Sequence, residues 1–176
     1  MAVIGVGRIG VFHAKHVQEI ARETGKCELV AVVDTYSDTA QRVAQELQTD
    51  QEAKIHAFNS VQDLAQADLI DGAFIASRTD AHEPDARNLI DAGCRGLLEK
   101  PLTHSLDSAQ AFVNYLDADE GRSQALMQAF MRRFDAPLMK VKELLEQKVI
   151  GKIFKITSIL EDPAPPPVGY SSPGLL

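Results

Sequence analysis

Gly5-Val6-Gly7-Arg8-Ile9-Gly10 follows directly on a short apolar run, Met1 to Ile4, and leads into Phe12, Val17, Ile20 and Ala21 at helical spacing. A G-x-G-x-x-G between a strand and a helix meets three physical demands at once. Gly5 allows a tight turn, Gly7 lets a pyrophosphate approach closely, and Gly10 lets helix and strand pack closely. The phosphates would then rest on the N–H groups and positive dipole end of the helix. A structural glycine-rich turn is the rival reading, and context bears on the choice. The next apolar run, Leu29 to Val33, is β-branched and continuous and ends at Asp34. A carboxylate at that place can accept the ribose hydroxyls of a dinucleotide; the plain alternative is that Asp34 opens a turn.

The rest of the chain keeps alternating between short apolar runs and helical stretches. Lys54 to Phe58 and Ile70 to Ala76 read as strands, and residues 38–48 and 80–92 as helices, the second ended by Gly93. Arg95 to Leu98 is a further strand, and Leu106, Ala109, Phe112, Val113 and Leu116 form one helical face. Ala125 to Met131 reads as a strand, and Leu138, Val141, Leu145 and Val149 as a stripe with Gly151 past its end. Parallel neighbours need crossover connections, so this pattern implies an α/β fold: a Rossmann-type doubly wound parallel sheet with helices on both faces. We expect a dinucleotide-binding domain over 1–123, a strand–helix extension over 124–150, and the start of a second, α+β domain over 151–176. In that last segment Lys152 to Leu160 reads as one strand, ahead of Asp162-Pro163-Ala164-Pro165-Pro166-Pro167. The proline run reads as an extended loop or linker, with a ligand for a proline-recognising domain as its rival.

Composition excludes several classes of partner. With 18 Lys and Arg against 25 Asp and Glu the net charge is −7, which disfavours nucleic acid and anionic membrane surfaces. No apolar run approaches the roughly 18 residues of a membrane span. The start of the chain lacks the basic region of a signal peptide. Cys27 and Cys94 fit no zinc or redox spacing, which suits a reduced, cytoplasmic protein. His13 and His16 stand at i, i+3 on the first helix without a third ligand nearby, so no metal site is expected.

The Asp34 carboxylate would repel a 2′-phosphate, and Thr35, Tyr36, Ser37 and Asp38 offer no cation to receive one. NAD is therefore favoured over NADP. Lys100 lies in Leu98-Glu99-Lys100-Pro101, at the carboxyl end of the strand that starts near Arg95, and ligands of open α/β sheets bind outside those ends. An ammonium there can stabilise a developing alkoxide or take part in proton transfer. From the residues alone, a solvated surface lysine is an equal reading.

Together, Gly5-Val6-Gly7-Arg8-Ile9-Gly10, Asp34, Arg78-Thr79-Asp80-Ala81-His82, Glu99-Lys100-Pro101 and Phe130-Met131-Arg132-Arg133-Phe134-Asp135 resemble the glucose–fructose oxidoreductase/inositol dehydrogenase/rhizopine-catabolism family, and its inositol-dehydrogenase branch in particular. The resemblance covers nearly the whole chain. It implies a catalytic Lys100, and a cofactor site drawn from Gly5, Gly7, Arg8, Ile9, Gly10, Asp34, Ser77, Thr79, His82, Glu99 and Lys100. A capping role is the alternative for His82. Met131 and Arg132 match positions beside the substrate, against a structural ion pair as the other reading. The implied reaction is hydride transfer between NAD and a secondary alcohol of a cyclitol or sugar, with a homo-oligomer as the form of full-length relatives.

The sequence also departs from the family. Members are about double this length and carry a second domain whose Asp and His, close together on a helix, partner the lysine. Tyr170 to Leu176 resembles the approach to that helix, and none of His13, His16, His56, His82 and His104 matches the catalytic histidine. Leu160 and Glu161 stand where inositol-type enzymes show polar or basic residues. The alternative expectation is thus a non-catalytic NAD-binding fragment or truncated isoform, with trace turnover, self-associating through the apolar 152–160 strand.

Overall fold

The computed structural model describes residues 1–49, 54–159 and 161, and the chain divides into two units, Met1–Ala129 and Phe130–Leu176. In the first unit the apolar runs become β1 (Ala2–Ile4), β2 (Ala31–Val33), β3 (His56–Phe58), β4 (Gly72–Ile75), β5 (Arg95–Leu98) and β6 (Leu126–Gln128). Between them run α1 (Arg8–Thr24), α2 (Ser37–Leu47), α3 (Val61–Gln66), α4 (His82–Asp91), α5 (Leu106–Asp117) and α6 (Glu120–Ala125). All strand pairs are parallel, in the order β3-β2-β1-β4-β5-β6. The expected doubly wound sheet is therefore what forms. The order reverses at β1, whose Ala2 and Ile4 pair with Ala31 and Val33 on one side and with Ala73 and Ile75 on the other.

Alternation along the central strands divides the core in two. Ala2, Ile4, Val33, Ile75 and Leu98 pack with Leu64 of α3, Leu89 of α4 and Phe112 of α5. Val3 and Val32 point the other way, onto Ala14 and Val17 of α1 and Val43 and Leu47 of α2. With helices on both faces the central strands β1, β2 and β4 are continuous apolar runs, as their sequences suggest. The short helices α3 and α6, which hydrophobic period did not reveal, start at the side-chain caps Ser60 and Asp119. Gly93, just past α4, takes φ +79, and Gly93 and Cys94 N–H close back onto Ile90 and Leu89.

The second unit contains a 3-10 turn (Met131–Phe134) and α7 (Ala136–Glu146), whose cap Asp135 accepts the Leu138 N–H. The expected 125–131 strand is shorter, because Met131 already belongs to that turn. Over 152–159 the structure corrects the sequence reading, since no strand is present there. A strand exists only through ladder hydrogen bonds to a neighbour, and none of the described residues pairs with this segment. Its apolar side chains Phe154, Ile156 and Ile159 are exposed. Leu160, the proline run and Tyr170 to Leu176 lie outside the described residues.

Candidate cofactor site

Three local constraints shape the turn between β1 and α1. Gly5 takes φ +80, and a Cβ there would stand 2.4 Å from the Ser77 backbone; a Cβ on Gly10 would stand 1.8 Å from the Gly5 carbonyl oxygen. Gly7 differs, because a Cβ on it would meet nothing within 4 Å. The absence of a side chain at Gly7 therefore serves no packing purpose and leaves open the approach to the first turn of α1. Gly7 also caps α1 with no side-chain bond, and no acidic residue stands in that first turn. N–H groups of a helix's first turn have no intrahelical acceptors, so this end of α1 suits an anion.

Asp34 stands beside this turn. Its Oδ2 accepts the Val6 N–H at 3.1 Å and its Oδ1 accepts the Tyr36 N–H at 3.0 Å. Each carboxylate oxygen carries two lone pairs, so each retains one that a ribose hydroxyl can use. The bonds also fix the carboxylate to the glycine turn. The residues thus fit a dinucleotide in three respects: an open glycine, an uncapped helix end, and an oriented carboxylate.

The carboxyl ends of β4 and β5 bring the remaining candidates. Ser77 and Thr79 lie in the turn after β4, and Ser77 supplies the backbone against which Gly5 packs. The Ser77 hydroxyl is buried and closes no hydrogen bond of ordinary geometry. His82, at the start of α4, is 2% exposed. Its Nδ1 faces the Pro101 carbonyl at 2.7 Å and its Nε2 the Ser77 carbonyl at 3.0 Å. The ring's polar atoms are thus taken up in joining the loop after β4 to the loop after β5. Asp85, one turn further on, has its carboxyl raised above the usual range by burial, opposed by the nearby Ser77 hydroxyl and His82.

Glu99 and Lys100 follow β5, and Lys100 is exposed. The Lys100–Pro101 peptide is cis. The loop beyond it is braced by buried Thr103, whose hydroxyl bonds the Ser105 carbonyl and accepts from Ser108. Glu99 Oε1 lies 2.9 Å from His13 Nε2, a partner that sequence reasoning missed. Met131 and Arg132 belong to the second unit, where both are exposed and Arg132 pairs with Asp135 at 3.2 Å. A hollow of about 550 Å³ lined by Asp91, Arg95, Asp119 and Arg122 lies at the amino end of β5, away from all these residues.

Residues 1–126 match the model of the GFO/IDH/MocA oxidoreductase family, described as an NAD-binding Rossmann fold. The chain belongs to this family. Its relatives include the inositol 2-dehydrogenase/D-chiro-inositol 3-dehydrogenase of Shouchella clausii, 30% identical over 90% of this chain and 43% of that protein. The myo-inositol 2-dehydrogenase of Thermotoga maritima is 29% identical over 97% of this chain and 47% of its own. The chain thus spans less than half the length of these family members. Among solved structures, the myo-inositol dehydrogenase of Lactobacillus casei, in complex with NAD(H) and myo-inositol, matches with TM-score 0.72 and 26% identity over 85% of this chain and 42% of that one. Within the described residues, no helix is long and apolar enough to cross a membrane.

Proposed function

We propose that this chain is the cofactor-binding part of an NAD-dependent dehydrogenase that moves hydride between NAD and a secondary alcohol of a cyclitol or sugar. The observation that carries the reading is the open Gly7 at the uncapped end of α1, beside an Asp34 carboxylate bonded to the same turn. The resemblance of the chain to inositol dehydrogenases supports the substrate class.

In this reading Gly5, Gly7, Arg8, Ile9 and Gly10 form the pyrophosphate cradle and Asp34 holds the adenosine ribose. Ser77, Thr79, His82 and Glu99 shape the wall toward Lys100. NAD, when bound, supplies a two-electron acceptor. The Lys100 ammonium, exposed at the carboxyl edge of the sheet, would stabilise negative charge on the substrate oxygen as its proton passes to solvent. Met131 and Arg132 are the candidates for the polyol side.

Titration of the full chain with NADH and with NADPH, followed by nicotinamide fluorescence, tests the cofactor reading. The expected result is saturable binding with NADH the tighter ligand. Absence of NADH binding would overturn it. Myo-inositol added to the NADH-loaded protein tests the substrate class through a change in the same fluorescence.

A further inference from the structure

His13 lies in the second turn of α1, a position with no evident chemistry in the sequence. In the fold its ring stacks on Phe74 of β4, with centroids 4.9 Å apart. Its Nε2 lies 2.9 Å from Glu99 Oε1, across 86 positions of sequence, and the two side chains are only 21% and 17% exposed. The other Glu99 oxygen, Oε2, accepts the Lys100 backbone N–H at 3.2 Å. An ionised carboxylate only accepts, so His13 Nε2 carries the hydrogen, and the stacked Phe74 keeps the ring in the orientation that presents it.

We propose that His13 is a positioning residue: it fixes the Glu99 carboxylate, which in turn holds the backbone of Lys100 against the helix that opens at the glycine turn. This rests on the reading of Lys100 as the catalytic lysine. It adds to that reading a mechanical link between the phosphate-facing helix and the lysine. Bonds to charged groups in partly buried sites are the stronger ones, which is why this contact can locate a backbone segment where a surface ion pair would not.

Packing and positioning make opposite demands on substitution. His13→Phe keeps a ring over Phe74 and loses the donor; His13→Gln loses the ring and keeps an N–H of similar reach. Amide exchange at Lys100, read residue by residue by NMR on the full chain without ligand, reports the hold on that backbone directly. We expect exchange about tenfold faster in His13→Phe, the size of losing one charge-assisted hydrogen bond at second hand, and within about threefold of wild type in His13→Gln. Equal acceleration in both variants, or none in His13→Phe, would overturn the proposal. Should His13→Phe fail to fold, nitrogen spectra of the wild-type histidines decide, because a His13 Nε2 without hydrogen also overturns it. NADH titration of the same wild-type sample reports on the cofactor reading separately.

Discussion

Alanine at Gly7 and alanine at Gly10 should separate ligand binding from folding, although the two glycines belong to one motif. At Gly7 the backbone has φ −72 and ψ −161, which any residue adopts, and the new methyl meets nothing within 4 Å. Restricting the unfolded chain contributes about 0.4–1 kcal/mol of stability, and replacing a tolerable cap by alanine removes a similar amount, so Tm should stay within about 3 °C of wild type. The same methyl would stand at the cap of α1, beside the first turn where the proposed pyrophosphate would sit. NADH should bind at least about tenfold more weakly. At Gly10 the methyl would stand 1.8 Å from the Gly5 carbonyl oxygen and 2.9 Å from its carbon, well inside the 3.4 Å at which ordinary contact begins. The obstacle is backbone, which cannot swing aside as a side chain can, so α1 must lift from β1. Overpacking of this kind costs about 3 kcal/mol or more, a Tm lower by about 6–12 °C. Scanning calorimetry with fluorescence titration of NADH reads both quantities on each variant. A Gly7→Ala protein that binds NADH like wild type would refute the phosphate cradle. A Gly10→Ala protein of unchanged Tm would refute the packing argument.

Asp34→Ala should narrow the preference for NADH over NADPH, and should also destabilise by about 1–3 kcal/mol because the Val6 and Tyr36 N–H groups lose their acceptor; wild-type NADPH binding as tight as NADH binding would contradict the assignment. Phe112→Ala, at a side chain with no exposure, should cost about 3–5 kcal/mol in denaturant unfolding, and a loss below about 1 kcal/mol would show that the α5 face is not core. The Asp85 carboxyl is raised in the folded state above its ordinary 3.8, mainly by burial, so folding takes up a proton there. Its favourable contribution is complete below 3.8 and fades as pH rises through the folded value. The stability of wild type minus that of Asp85→Asn should therefore fall with rising pH in that window; a flat or rising difference would refute it.

The parallel sheet was legible because strands covered on both faces must be apolar without interruption, and Ala31 to Val33 and Gly96 to Leu98 have neighbours that cover them. Lys152 to Leu160 is also rich in apolar residues, with Ile153, Phe154, Ile156, Ile159 and Leu160, and over 152–159 no strand forms, because composition reports suitability for a sheet and says nothing of a partner. The six-residue helices α3 and α6 complete fewer than two turns, too few for a period to show. Their caps Ser60 and Asp119 were the available signal. The glycine turn, Asp34 and Lys100 announced themselves through motif and place. His13 did not, because its meaning depends on Glu99, and no local pattern connects residues so far apart. His82 was read for its nearness to the cofactor, whereas its ring nitrogens face the carbonyls of Ser77 and Pro101.

The turn at Gly5 is held from a distance. Gly5 N–H is bonded to the Val33 carbonyl, Val6 N–H to Asp34, and the Ser77 backbone leaves no room for a side chain on Gly5. A ribosome releases the glycine motif before Val33, Asp34 and Ser77, which support it. The cradle is consequently completed with β4, the fourth strand in chain order, and not when its own residues are made. A nascent chain becomes able to hold a dinucleotide only once β4 has emerged and docked beside β1. From that moment the ligand, binding only the assembled form, pulls the newborn protein toward its finished state by mass action.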